Sequence, residues 1–572
     1  MSTITDTNEA ILQQYRDASQ TLGAVGAAQP VFEDEVRLSL GAVENSNPIA
    51  AVANAVKGGA NMYGACSIQT FAASTGAGGL SHTHEDATGW INYVNGFTPR
   101  NFYYQDGNVS TWEYLDPYDD WQDTYGLDAV RAFYHSGHGG MDSAGVFYAP
   151  LGSSWSTHDA WARSNQMKFA NQHLRYMFWS TCFSCRVLDG QNPFKTWGNA
   201  NNGLRMLFGY ESTSVDAGNY GSAFWKHWNQ GKSFSQAWLD ASWYDISHNQ
   251  APSAFACGSS AADAANRLNT ERIFFADAVS KNWYQWRWYN AAASALARRE
   301  ANQKLPKRMA MAHLEPRTVT STHVRDLFSR LPLEMATPRE LSLNAGGSFL
   351  TGEGYRRVAI ARDGTYDAAF GEPNRSNRNS PSVQAGIAAA GSFIRQLGLD
   401  GGGLQFDRVF HKWEGGGSPN GSGTLETPRI AETVVQYAQV INGLPVVGAG
   451  QGKVTVTLDN DRRVIGLVDS TRPVAALVDQ GVSGPPSPGM TETPSVQTGA
   501  GPEDVLANAW LNRMKSFVVN GTMPRAYATV PGSFEVGYAI RENIAVLVAR
   551  HEVEVDFGHG LFKRYVVEEP LA

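Results

Sequence analysis

Apolar residues in the first half of the chain come in short unbroken runs: residues 65–71 (ACSIQTF), 129–137 (AVRAFYHSG), 175–182 (RYMFWSTC) and 204–212 (LRMLFGYES). Runs of this length without polar alternation predict strands buried on both faces. Between them, residues 84–96, 157–172 and 221–247 repeat apolar positions at helical spacing. Buried strands separated by helices predict an α/β domain with a parallel sheet and helices on both faces, whose chemistry collects at the carboxyl edge of the strands. The pattern changes further on. Residues 432–470 read as a strand, an Asn-Gly turn, a Pro-containing edge strand, the alternating VTVTL, an Asp-Asn-Asp turn and another strand, an antiparallel set. Residues 503–519 predict an amphipathic helix, and 534–569 alternate as strands do.

Composition sharpens the boundaries. Of 16 tryptophans, all but Trp413 and Trp510 fall between Trp90 and Trp288, which places a domain end near residue 290. The expected organisation is an N-terminal extension over 1–60, an α/β domain over 61–290 and a basic helical linker over 291–330, carrying Arg298, Arg299, Lys304, Lys307 and Arg308. Two α+β modules, 331–480 and 503–572, complete it, with Gly- and Pro-rich stretches at 414–424 and 483–502 expected as loops. No repeat of fixed period is present. The charge of 46 basic against 54 acidic residues leaves no basic excess for nucleic acid. No apolar run reaches a membrane span, and the first residues lack a secretory pattern, so cytoplasmic placement is the default expectation. Four cysteines are too few for a disulfide scaffold.

Two strand ends carry the chemistry. The strand of residues 129–137 runs out into a Gly-flanked His138, and that of 175–182 ends on Cys182. Adjacent parallel strands would bring both to one edge, where an imidazole can generate a thiolate nucleophile and backbone amides near Gly137, Gly139 and Gly140 can hold an oxyanion. His135 competes with His138. Cys182 and Cys185 also form a CxxC, but no second ligand pair completes a metal set. His82 and His84 read as a solvated helix opening, and the acidic residues 114–123 as a solvated loop.

The phrases FYHSGHGG and STCFSC, each ending an apolar strand, resemble the histidine and cysteine motifs of the caspase-like cysteine peptidases, a group that includes caspases, metacaspases, gingipains and legumains. A segment with Trp112 and Glu113 ahead of the histidine fits a bacterial branch of that group. The resemblance spans residues 62–258 and departs from the pattern at Thr181 and Phe183. It implies a caspase-like parallel sheet, Cys182 as nucleophile, His138 as its proton partner, an oxyanion contact near Gly139, and no cofactor. It also implies that the strand and loop after the nucleophile line the specificity pocket, where Glu211, Asp216 or Asp189 would favour a basic side chain. Residues 358–569 resemble the propeptide domains of thermolysin- and fungalysin-type metallopeptidases followed by a small PepSY-type module, although no HExxH occurs. The expected protein is therefore a cysteine endopeptidase acting on a peptide or protein, restrained intramolecularly by its C-terminal modules. A peptide ligase or cyclase using the same dyad, and an inactive caspase-like scaffold, are the alternatives.

Overall fold

The computed structural model describes residues 62–290, 296–297, 310–331 apart from 316 and 318, 349–399, 403–420, 425–479, 502–519 and 524–571. The expected N-terminal extension and the five linker cations lie outside the described residues.

Seven strands form the first part of the main sheet: β1 (Tyr63–Ser67), β2 (Phe102–Gln105), β3 (Ala132–Ser136), β4 (Tyr176–Ser180), β5 (Met206–Tyr210), β6 (Pro252–Gly258) and β7 (Trp283–Tyr289). Their order is β2-β1-β3-β4-β5-β6-β7, with the first five mutually parallel, β6 antiparallel to β5, and β7 antiparallel to β6. The continuous apolar runs have the expected cause: every residue of β1, β3, β4 and β5 is buried. Successive side chains divide between two cores. Tyr134, Phe178 and Phe208 point to one face, Phe133, Met177 and Leu207 to the other.

Helices α1 (Thr83–Asn95), α2 (Tyr220–Asn229), α3 (Phe234–Asp245) and α4 (Ala261–Thr270) supply Trp90, Phe224, Trp238 and Leu268 to the first core. The second face differs from expectation. Residues 157–172 do not form a helix: Trp161–Arg163 is a strand pairing with Phe147–Pro150, and Ser164–Gln166 a single 3-10 turn. Ala162, Met167 and Phe169 still face the sheet. The same apolar spacing is met by a small sheet because Asp128 gathers the amides of Asn171, Gln172, His173 and Leu174, at 2.6 to 3.2 Å, and so fixes a loop.

The sheet does not stop at residue 290. Antiparallel to β7 lies the long strand β8 (Leu404–Gly417), then β9 (Arg429–Ile441) and seven further strands, to give one 16-stranded sheet among the described residues. Part of the stretch expected as a loop, Glu414 to Gly417, is thus strand. Its glycines have a packing reason, since a Cβ on Gly415 would lie 2.7 Å from Trp286 Nε1 and one on Gly416 2.4 Å from Gln285 Oε1. The Asn442–Gly443 turn follows β9 with both residues at positive φ, as an Asn-Gly hairpin requires.

A second, six-stranded sheet is built on the C-terminal residues. Helix α5 (Pro502–Val519) packs Leu506, Trp510 and Phe517 on the long hairpin of β10 (Ile544–Gly558) and β11 (Leu561–Pro570). Ala310–Leu314, inside the segment expected as a helical linker, is a strand of this sheet, and Ser321–Arg330 is a helix. No helix among the described residues is long and apolar enough to cross a membrane. The architecture is mixed α/β, with several helices and two large sheets.

Candidate functional site

β3 and β4 pair in register with Ser136 opposite Ser180. His138 and Cys182 each follow two residues beyond that pair, on adjacent parallel strands, so both stand at the same carboxyl edge. The two chains run close here. Gly137 N donates to Ser180 O at 3.4 Å, and a Cβ on Gly139 would come 2.5 Å from the Cys182 carbonyl oxygen. Only a glycine allows that approach. Beyond the cysteine, Phe183 adopts φ of 60°, a left-handed conformation strained for an aromatic residue, and this sharp turn carries the chain away after Cys182.

Asp86, on α1, ties both strand ends to the helix layer. Its carboxylate accepts from Tyr134 Oη at 2.6 Å, Ser136 Oγ at 2.7 Å and Gly221 N at 3.0 Å, and it also interacts with Ser180. Burial raises its pKa, against the lowering effect of those donors. Sequence reasoning passed over Asp86 because a lone acid in the first turn of a helix ordinarily serves the helix end.

His138 is fully buried between the rings of Phe71 and Phe557, at 5.1 and 5.2 Å. Its Nε2 faces the Gly78 carbonyl at 2.9 Å and therefore carries the proton, leaving Nδ1 as the acceptor. Nδ1 has no hydrogen-bond partner among the described residues. Burial, reinforced by the Lys563 ammonium, holds the imidazole pKa down to about 3, so the ring is neutral. Cys182 is equally buried. Its thiol donates to the Phe562 carbonyl at 3.1 Å, lies 3.4 Å from Ser214 Oγ, and accepts from Ser214 N at 3.2 Å. Lys563 Nζ donates to the same Ser214 hydroxyl at 3.0 Å. Phe557, Phe562 and Lys563 belong to the C-terminal hairpin, nearly 400 positions away in sequence. Neither they nor Ser214 could be assigned to the site from local pattern.

The three acids expected in a specificity pocket are dispersed. Glu211 is buried and accepts from the Val187 and Leu188 amides, the latter at 3.2 Å, and burial pushes its pKa up to about 8. Asp189 is exposed and pairs with Arg186 at 2.7 Å. Asp216 accepts from Ser81 N at 3.0 Å and lines a cavity of about 460 Å³ with His82, Asn219, Arg513 and Tyr565. Of the three, Asp216 adjoins the Ser214 segment that contacts Cys182.

Other chemistry-bearing residues take structural positions. His135 is buried, its Nδ1 2.9 Å from Tyr114 Oη and its ring 4.5 Å from that of Trp179. His84 differs from the expected solvated cap: it bridges Ser67 Oγ at 2.7 Å and Asp106 at 3.0 Å, with Ser67 wholly buried. Glu113 closes a capping box with Ser110 and accepts from the buried Cys66 thiol at 3.3 Å. Cys185, the second cysteine of the CxxC, is a free buried thiol whose pKa burial pushes up to about 12. His227, Asp240 and Asp367 converge within 4.8 Å, a spacing compatible with a metal. The Lys232 ammonium already fills that point, 2.8, 2.7 and 2.6 Å from the three.

Residues 66–288 match a family described as Domain of unknown function (DUF6345). No curated protein matches the chain. The matched span begins in β1 and ends in β7, enclosing the His138 and Cys182 edge and none of the C-terminal hairpin that covers it.

Proposed function

We propose that the chain is a caspase-like cysteine endopeptidase in which Cys182 attacks a peptide carbonyl and His138 manages the proton. The observation that supports this reading is the register of β3 and β4, which pairs Ser136 with Ser180, so that His138 and Cys182 each follow two residues beyond at the carboxyl edge of five parallel strands, where α/β sheets place their ligands. Nδ1 of His138 is the acceptor of the neutral ring and has no partner among the described residues, while the Cys182 thiol is turned to the Phe562 carbonyl. Withdrawal of the C-terminal hairpin would free the thiol, remove Lys563 and relieve the burial that holds the imidazole pKa down, the condition for His138 to take the thiol proton. Thiolate attack would then give a thioester, with the peptide's amine leaving and water hydrolysing the acyl-enzyme. A backbone amide near Gly139 is the proposed oxyanion donor. Asp216, beside the Ser214 segment, is the best placed of the three acids to select a basic side chain, and the modules after residue 330 act as a propeptide-like restraint.

Full burial of both His138 and Cys182 favours a second reading, an inactive scaffold. A ligase or cyclase would need only an amine in place of water at the acyl-enzyme. The deciding measurement is cleavage of an unfolded protein substrate by the full chain and by an Arg564→Pro variant, with products mapped by mass spectrometry and the fold checked by circular dichroism. Cleavage is expected to drop at least about a thousandfold when Cys182→Ala or His138→Ala is added. Survival in Cys182→Ala overturns the assignment, as does an absence of cleavage from every correctly folded variant; in that case peptide joining when an amine acceptor is supplied marks the ligase, and no product of either kind marks the scaffold.

A further inference from the structure

The hairpin of β10 and β11 lies over the candidate site as a ligand would. Arg564 N donates to Ser214 O at 3.0 Å and Asp216 N to Arg564 O at 2.8 Å, so that Arg564 forms a parallel bridge with Val215. Both backbone groups of Arg564 thus face outward, away from the hairpin's own ladder. Phe562 turns its carbonyl to the Cys182 thiol, and Lys563 sends its side chain down to Ser214 with 3% of its surface exposed. The turn is seated as well: Tyr148 Oη donates to His559 O at 2.9 Å, and Phe557 closes on the His138 ring.

Resting on the peptidase reading above, we propose that residues 557–564 are a tethered occupant of the cleft, that the chain as folded is its closed state, and that a substrate is an extended polypeptide with a basic side chain at the place of Lys563, pairing with Ser214–Asp216 after this strand withdraws. Backbone pairing with an exposed edge is how sheets bind extended peptides. Tethering gives the occupant a high effective concentration, so individually modest contacts suffice to hold it. The closure is also reversible by construction. The Lys563 ammonium is buried with the Ser214 hydroxyl as its hydrogen-bond acceptor among the described residues, and a buried charge without an anion opposes the burial that docking requires.

The test is the alkylation rate of each cysteine by iodoacetamide in the folded full chain, read by peptide mapping. Cys182 is expected to react slowly in the wild type. Arg564→Pro deletes the outward amide donor to Ser214 O and, with the side chain, the bonds to Glu554 and to the Asn249 carbonyl, so Cys182 labelling should rise at least about tenfold, the effect of losing one hydrogen bond or more, with Cys66, Cys185 and Cys257 unchanged. Tyr148→Phe, which removes the turn contact from the opposite side, should give a smaller rise. Lys515→Glu, on the exposed face of α5, should give none. A synthetic peptide of residues 557–568 should restore protection in Arg564→Pro, and its Lys563→Glu counterpart should not. Labelling of wild-type Cys182 as fast as a free thiol overturns the proposal, as does a parallel rise at all four cysteines. Labelling needs no turnover, so this failure is distinguishable from failure of the peptidase reading.

Discussion

Gly139 is where the edge is tightest, and its consequences can be measured. An added Cβ would meet the Cys182 carbonyl oxygen at 2.5 Å, with Phe147 and Thr181 Oγ1 at 2.8 Å. Gly139→Ala is expected to cost about 1–3 kcal/mol through forced displacement, seen as a lower urea midpoint, and to change Cys182 labelling more than that of Cys257. Unchanged stability would mean that the loop can yield and that the glycine is not needed for close approach. His138 and Cys182 were legible in the sequence because each ends an apolar run. Ser214 and Lys563 were not, because a serine in a loop and a lysine in an alternating strand carry no local sign that the fold will bury them.

At the scale of elements, Asp86 joins α1 to β3 and to the start of α2. Its neighbours are hydroxyls and one amide, groups that can hydrogen-bond an amide side chain as well as a carboxyl. Asp86→Asn should therefore fold with little loss, whereas Asp86→Ala strands several buried donors and should cost about 2–5 kcal/mol, measured by urea unfolding. Equal losses in the two variants would show that charge, and not donor satisfaction, is what the site requires. Strand existence was readable because every position of β1, β3, β4 and β5 is buried and all but Ser67, His135, Ser136 and Ser180 are apolar or glycine. The segment 157–172 was misread because an apolar period of three to four positions also fits a short strand, a 3-10 turn and a loop pinned by Asp128.

The parts before and after residue 290 share one continuous sheet, and charges are buried where they meet. Lys232 and Asp240 meet Asp367, and Arg287 and Arg375 meet Glu414. The carboxylates of Asp240, Asp367, Asp407, Glu414 and Glu535 have lowered pKa values: burial opposes ionisation at each but is outweighed by neighbouring cations. Their stabilisation is present above the unfolded carboxyl pKa of about 4 and is lost as the pH falls below it. Burial also holds His135 and His138 down to about 3 and His411 to about 4, so each contributes stability above the unfolded histidine pKa of about 6.5 that declines below it. Asp128 and Glu211, pushed up by burial to about 7 and about 8, act oppositely and gain as the pH falls towards about 4. Urea midpoints should thus vary little between about pH 7 and 5 and fall steeply below about pH 4. A midpoint that holds to about pH 3 would show that these buried carboxylates are not held ionised.

The sequence by itself determined the buried strands of the first half, the antiparallel hairpins of the second, and the placing of a histidine and a cysteine at two strand ends, because periodicity and turn residues are local properties. Tertiary structure alone decided that β7 and β8 pair, so that the sheet runs through the tryptophan-rich boundary, since strand pairing is a backbone interaction that composition does not encode. It alone decided that the strand of residues 561–570 lies across Ser214–Asp216, with its Phe562 carbonyl on the Cys182 thiol. Contacts between positions so far apart depend on how two separately formed layers dock, and that is settled by the surfaces they present to each other.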